Sequence, residues 1–146
     1  MSAISILRPE ITPEVLNQRG VGCLPRLLGV EISTVAAEGL VGRLPVRPEL
    51  LAPNGYLHAA SVIALADTMA GYGTLANLPE GARTFTTIEL KANFLGTARD
   101  GVIVCTATPA HLGRSTQIWD AVVTDEASGR KIALFRCTQM ILWDHK

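Results

Sequence analysis

The stretch Asn54-Gly-Tyr-Leu-His-Ala-Ala-Ser-Val-Ile-Ala-Leu-Ala-Asp-Thr-Met-Ala-Gly71 decides how this chain folds. It begins as loop chemistry, behind Pro48 and Pro53 and with the pair Asn54-Gly55. From His58 to about Leu75 it has no proline, is rich in alanine and leucine, and is apolar on nearly every side. That pattern predicts a helix over about 58–75, and a helix apolar all round is expected to be buried all round. Asn77-Leu-Pro-Glu-Gly81 reads as the stop.

Asp67 is the anomaly. Every other residue of Ser61–Ala70 is small, apolar or hydroxylic. Aspartate is a poor mid-helix residue because its side chain competes for backbone groups, and an unpaired buried charge is costly. Three readings stand. The carboxylate is capped by a hydroxyl such as that of Thr68, or it reaches solvent at a bare edge of the helix, or it stands in a cleft with chemistry to do. His58 is the second candidate. It opens the helix, where unpaired N–H groups and the helix dipole make a positive end able to hold an anion or a developing oxyanion. The plainer reading is that it only satisfies the helix start. Nine residues separate His58 from Asp67, about 13 Å of rise and about 180° of rotation. The two cannot meet around one substrate within a chain. If both serve one reaction, the helix start of one subunit faces Asp67 of another, as two antiparallel helices across a two-fold axis would allow.

Working outward, residues 10–19 read as a short helix with Thr12 as N-cap, Pro13 as first residue and Gly20 as stop. Leu27 to Val46 is β-like, with Gly39 and Gly42 near a turn. Four further β-like runs follow the long helix: Thr84–Leu95, Gly101–Ala110, Ser115–Asp125 and Lys131–Trp143. Their connectors are short, which suits antiparallel neighbours. Strands, one long helix, then four strands predict an α+β architecture: one antiparallel sheet wrapped around one central helix, in a single domain over 1–146.

With 146 residues, 48% hydrophobic and 18% charged, the chain is not of a disordered class. Thirteen basic residues balance thirteen acidic ones at a pI near 6.8, which gives no electrostatic case for nucleic acid or an anionic membrane. Zero net charge with a mean hydropathy of +0.28 suggests apolar surface covered by another subunit. The N-terminus lacks the basic lead and apolar run of a signal peptide. The longest apolar run, Val62–Ala66, ends at Asp67, far short of a membrane span. Cys23, Cys105 and Cys137 are odd in number and widely spaced, against a disulfide framework or a zinc site. The expectation is three buried thiols in a cytoplasmic protein.

The Asn54–Gly71 segment resembles the signature of the hotdog-fold acyl-CoA thioesterases, in the phenylacetate-pathway and 4-hydroxybenzoyl-CoA thioesterase branch. That pattern is Gly-x-x-His-Gly-Gly followed by an acid nine residues after the histidine, here Gly55, His58 and Asp67. Phe94-Leu-Gly-Thr-Ala98 and His111-Leu-Gly-Arg-Ser-Thr116 extend the resemblance, over roughly residues 27–143. It implies a helix wrapped by a sheet, and subunits paired as dimers or dimers of dimers. It assigns Asp67 as nucleophile or general base on a thioester carbonyl, the Ala59 amide as oxyanion donor, and His58 as holder of the helix start. Asn54, Gly55, Ala60 and Gly71 are the implied substrate contacts. Gly113, Arg114 and Ser115 lie where the nucleotide end of coenzyme A is held, with Arg114 on a phosphate; an ordinary turn arginine is the alternative. The chain departs from the pattern in three ways: Ala59 and Ala60 replace paired glycines, Ala52 replaces an amide residue, and Gly71 stands where some members carry a hydroxyl.

The resulting expectation is hydrolysis of an acyl-CoA to a free acid and coenzyme A, without metal or cofactor. A non-catalytic acyl-CoA or lipid binder, a hotdog hydratase or dehydratase, and a domain with no small-molecule site are the alternatives.

Overall fold

Thr12 starts helix α1 (Pro13–Arg19): its hydroxyl accepts from the Val15 N–H at 3.3 Å, and Gly20 closes the helix. Asn17 then ties α1 to the sheet. Its amide donates to the Ile32 carbonyl at 2.9 Å and accepts the Ile32 N–H at 2.8 Å, as a neighbouring strand would. The computed structural model describes residues 6–144; the first five residues of the start read for a targeting signal, and the last two of the predicted domain, lie outside them.

The β-like reading of Leu27–Val46 needs one correction. Leu27 and Leu28 belong to a short helix α2 (Leu24–Leu28), which ends on Gly29 at φ 90°, a left-handed conformation that favours glycine. Pro25 in the first turn and Gly29 after the last are helix punctuation around an apolar Leu-Leu pair. The strands are β1 (Glu31–Ala36) and β2 (Gly39–Pro45). Gly39 lies at the turn, but Gly42 is in mid-strand. A Cβ there would run into the thioether of Met69, so the glycine lets the central helix rest on the sheet.

Strands β3 (Thr84–Phe94), β4 (Val102–Leu112), β5 (Thr116–Asp125) and β6 (Lys131–Leu142) fall within two residues of the predicted runs. They join β1 and β2 in one six-stranded antiparallel sheet of order β1-β2-β4-β5-β6-β3. Here the short connectors mislead. β3 does not pair with β4; the chain crosses after Phe94, and β3 pairs with β6 at the sheet edge. A register shift at Ile88 switches which β3 residues face the helix. Phe85 and Thr87 face it before the shift, opposite Ile141 and Gln139; Leu90, Ala92 and Phe94 face it afterwards, opposite Cys137, Phe135 and Ala133. Leu90 and Phe94 are nevertheless exposed, as are Ile88 and Leu95.

The central helix α3 (Ala59–Ala76) lies in the curl of this sheet, the hotdog arrangement. Val62, Leu65, Ala66, Met69, Gly73 and Ala76 are buried on it. Opposite Gly73, where an added Cβ would stand 2.6 Å from the indole of Trp119, the sheet comes as close as a helix without a side chain permits. The helix is not buried all round. A single sheet covers one side, and Ile63, Ala64, Asp67 and Thr68 on the other are only half-buried. The cysteines also divide: Cys105 and Cys137 are buried against the helix, whereas Cys23 is exposed at the start of α2. Among the described residues, no helix is long and apolar enough to cross a membrane.

Candidate active site

The loop before α3 is built to present its first turn. Asn54 Oδ1 accepts the Tyr56 N–H at 3.1 Å, and Gly55 takes φ 85°. Leu51 pairs with Leu57, the Leu57 N–H donates to the Ala98 carbonyl at 2.9 Å, and the His58 N–H to the Leu50 carbonyl at 3.0 Å. Ser61, buried one turn in, donates its hydroxyl to the same Leu50 carbonyl at 2.8 Å. His58 therefore leaves the loop in extended backbone and becomes the N-cap. Its Nδ1 accepts the Ala60 N–H at 2.9 Å. An accepting Nδ1 requires the proton on Nε2. His58 thus occupies the Ala60 amide and leaves the Ala59 amide, at the first helical position, without a hydrogen-bond partner among the described residues. Ala59 has the negative φ of a helix, so alanine supplies this donor as well as glycine would.

Asp67 stands two and a half turns further on, half-buried on the side of α3 that the sheet leaves open. Its Oδ1 is buried and has no hydrogen-bond partner among the described residues. No hydrogen bond joins it to Thr68, the hydroxyl the sequence offered as a cap. Burial pushes the carboxyl above its ordinary value, and the Thr87 hydroxyl beside it pulls the other way. The Thr87 proton, however, is donated to Gln139 Oε1 at 2.8 Å. Gly71, one turn after Asp67, is buried against Phe85, whose ring would stand 3.3 Å from an added Cβ. Helix start and acid lie apart in one chain, as their spacing requires.

The loop after β4 lies at the other end of α3. Gln117 just beyond it donates to the Asn77 carbonyl, past the helix C-terminus, at 2.8 Å. Gly113 is enclosed by its own turn: its N–H donates to the Thr116 carbonyl at 2.9 Å, and a Cβ would meet His111 Nε2 at 2.5 Å. The close approach that Gly113 permits in this chain is therefore between the two arms of the hairpin. Arg114 is exposed and holds its guanidinium 4.8 Å over the Trp143 ring, while the Ser115 carbonyl accepts the Ile141 N–H at 2.9 Å. Among the described residues Arg114 makes this ring contact and no ion pair.

Three residues beside the acid escaped the sequence reading: Thr87, Cys137 and Gln139. Gln139 is fully buried, and its Nε2 donates to Cys137 Sγ at 3.4 Å. Cys137 is pushed up to about 12, by burial first and then by the neighbouring Asp67 charge. One signal was readable: in Lys131–Leu142 the inward parity runs Ala133, Phe135, Cys137, Gln139, Ile141, and an amide in that series asks for a buried polar partner. Among the described residues, no group of three His, Cys, Asp or Glu could hold a metal ion.

A helix cradled by one antiparallel sheet, with a bare amide at its start and an unsatisfied acid on its open side, defines a hotdog hydrolase. The comparisons agree. The thioesterase superfamily model matches residues 54–132. The 1,4-dihydroxy-2-naphthoyl-CoA hydrolase of Escherichia coli is 30% identical over 139 residues, 94% of this chain and 99% of that protein. The proofreading thioesterase EntH of Cronobacter turicensis is 31% identical over 140 residues, 94% and 98% of the two chains. A mutant thioesterase from Pseudomonas aeruginosa superposes with a TM-score of 0.89 at 26% identity, over 94% of this chain and 99% of that one. A thioesterase from Haemophilus influenzae gives 0.87 at 29% identity, over 94% of each chain. The chain belongs to the thioesterase superfamily and is a thioester hydrolase.

Proposed function

We propose that this protein hydrolyses acyl-CoA thioesters at a site shared by two copies of the chain. Asp67 of one copy works on the thioester carbon, and the Ala59 amide of the other holds the carbonyl oxygen. The observation that carries the reading is the buried, unpartnered Oδ1 of Asp67 on the half-covered face of α3. Leaving such an oxygen unsatisfied costs stability, which a reacting group repays in rate. Two copies joined along the free β3 edge, with their central helices antiparallel, would cover that face and the exposed Ile88, Leu90 and Phe94.

In this arrangement the carbonyl oxygen accepts from the Ala59 N–H at the positive helix end, where developing negative charge is favoured. The Asp67 carboxylate then attacks the carbonyl carbon, giving an anhydride that water opens, or takes a proton from a water that attacks. Either way the C–S bond breaks and coenzyme A leaves as a thiolate, which needs no strong acid. His58 positions the helix start through its bond to Ala60. Asn54 and Gly55 shape the approach, and Gly71 lets the Phe85 ring pack one turn beyond the acid. About 15 Å of helix rise separates Asp67 from Asn77, near the Arg114 loop; this favours Arg114, held over Trp143, as a contact for the phosphates of coenzyme A at the far end of its pantetheine arm.

The likeness to the 1,4-dihydroxy-2-naphthoyl-CoA hydrolase makes aryl thioesters the first substrates to try. The test is thiol release from a panel of aryl, short-chain and medium-chain acyl-CoAs. Turnover of at least one by the wild type, lost in Asp67→Asn, supports the reading. Tight acyl-CoA binding with no turnover of any would replace it with a binding protein.

A further inference from the structure

Resting on that reading, one inference concerns the end of the molecule where the Arg114 loop lies. Strands β5 and β3 begin there, and β6 ends between them. The Ser115 carbonyl accepts the Ile141 N–H at 2.9 Å, and the Arg83 N–H donates to the Leu142 carbonyl at 2.9 Å. Trp143, the first residue past β6, thus comes between the Gly113–Ser115 turn and Arg83, and the row reads Arg114, Trp143, Arg83. The alternation that turns Phe85, Thr87 and Ile141 toward α3 carries Arg83 and Trp143 to the same side of the sheet. Gly81, in the turn after α3, bears this out: a Cβ there would stand 3.7 Å from the Trp143 ring. The row therefore lies on the side of the sheet that carries the acid.

Neither arginine is spent on the fold. Arg114 stacks 4.8 Å over the indole. Arg83 meets Asp144 at 3.8 Å, with side chains 66% and 76% exposed, too far apart for a hydrogen bond. Both guanidiniums keep N–H groups for an incoming acceptor. Beside the indole lies a cavity of about 360 Å³, lined by Arg83, Ile141, Leu142, Trp143 and Asp144. An aromatic wall takes a planar ring, and guanidiniums take phosphate. A carboxylate accepts from the exocyclic amine of a base and repels phosphate, so Asp144 sorts the base to its own end and the phosphates toward Arg114.

We propose that Trp143 is the platform on which the adenine of coenzyme A stacks, with Arg83 and Arg114 flanking it for the phosphates. Arg114 alone, an exposed cation in a turn, would hold any phosphate; the indole beside it selects a nucleotide. The consequence is a choice of carrier. An acyl group on coenzyme A is held at both ends of its arm, whereas the same group on a bare pantetheine arm is held at the acid only.

The experiment titrates the intact protein with adenosine 3′,5′-bisphosphate, the nucleotide end of coenzyme A without its thioester, and follows tryptophan fluorescence and heat. Trp143 is only partly buried and Trp119 is fully buried, so a stacked base quenches Trp143 alone. The wild type should bind the bisphosphate with quenching. Adenosine and pyrophosphate, which lack the charges and the ring respectively, should each bind at least about fivefold more weakly. Trp143→Ala should weaken bisphosphate binding by at least about fivefold, the low end for a lost base–aromatic stack. The ratio of kcat/KM for acyl-CoA to that for the same acyl-pantetheine should fall by the same factor, through KM. Trp143→Phe should restore binding without the quench. A wild type that binds without quenching or does not bind, a Trp143→Ala variant that binds as well as wild type, or pyrophosphate that binds as well as the bisphosphate would each overturn the platform. Nucleotide binding is read without turnover, so the two readings are judged separately. An inactive wild type that binds the bisphosphate with quenching sinks the thioesterase reading alone; an active one whose Trp143→Ala variant binds normally sinks the platform alone.

Discussion

The two sides of α3 are built to opposite standards. The side on the sheet is finished: Leu65, Met69 and Gly73 pack on Trp119, Gly42 and the strands, and Trp119 satisfies its indole N–H on Gln117 Oε1 at 3.1 Å. The open side carries Ile63, Ala64, Asp67 and Thr68 half-covered, with one buried oxygen unserved. One side therefore stores stability, and the other gives some up to keep an acid in place. A fold that completes only one side of its central helix has been selected for what meets the other.

Substitutions on the two sides should separate along that line. Trp119→Ala, on the finished side, is expected to cost about 3–5 kcal/mol of stability, the range for emptying a large aromatic site, read from denaturant unfolding. Asp67→Asn, on the open side, should lose at least about a hundredfold in turnover while its melting midpoint stays level or rises. Its pH dependence sharpens the point. Burial holds the folded carboxyl above its ordinary 3.8, so above that pH the folded chain keeps a proton the unfolded chain has released. Stability of the wild type then falls as pH rises from 3.8 through the folded value. Asp67→Asn lacks that slope, and its advantage in melting midpoint should widen over the same window. A wild type that gains on the variant with rising pH would reverse the assignment.

His58→Ala, at the junction of the two sides, removes an N-cap and should cost about 0.5–2 kcal/mol, with a loss of turnover because the first turn is no longer held. The smallest effect belongs to Arg114→Ala, at the remote end. An exposed charge contributes up to about 1 kcal/mol, so KM should rise by no more than about fivefold, with kcat unchanged and the difference shrinking as salt is added.

What was legible in the sequence follows the same division. Helix α3 and the place of its acid were readable because an aspartate in a run of alanine and leucine has few explanations, and the nine-residue spacing from His58 fixes rotation and rise. The strands were readable from their runs, and the turn at Gly39 from its glycine. Pairing was not: seven residues between β3 and β4 could close a hairpin, and only the tertiary requirement to wrap α3 sends β3 to the far edge instead. Gly42 was misplaced because a glycine signals a turn locally, whereas here it answers to Met69, twenty-seven residues away. The polar groups behind Asp67 stayed hidden because Thr87 and Gln139 lie fifty-two residues apart and meet only through a register set by the shift at Ile88.

The central claim is that one site draws Asp67 and Ala59 from different chains, and subunit exchange tests it most directly. Ala59→Pro deletes just the amide N–H, at the first helical position, where proline is tolerated, behind a His58 whose ψ of 138° suits a following proline. Alone, Ala59→Pro and Asp67→Asn should each be inactive. Mixed in equal amounts and allowed to exchange, they form mixed dimers with one doubly damaged site and one intact site, so activity should return to about a quarter of wild type for random pairing across a two-fold axis. Mixed dimers demonstrated by native mass spectrometry that remain as inactive as their parents would contradict the claim.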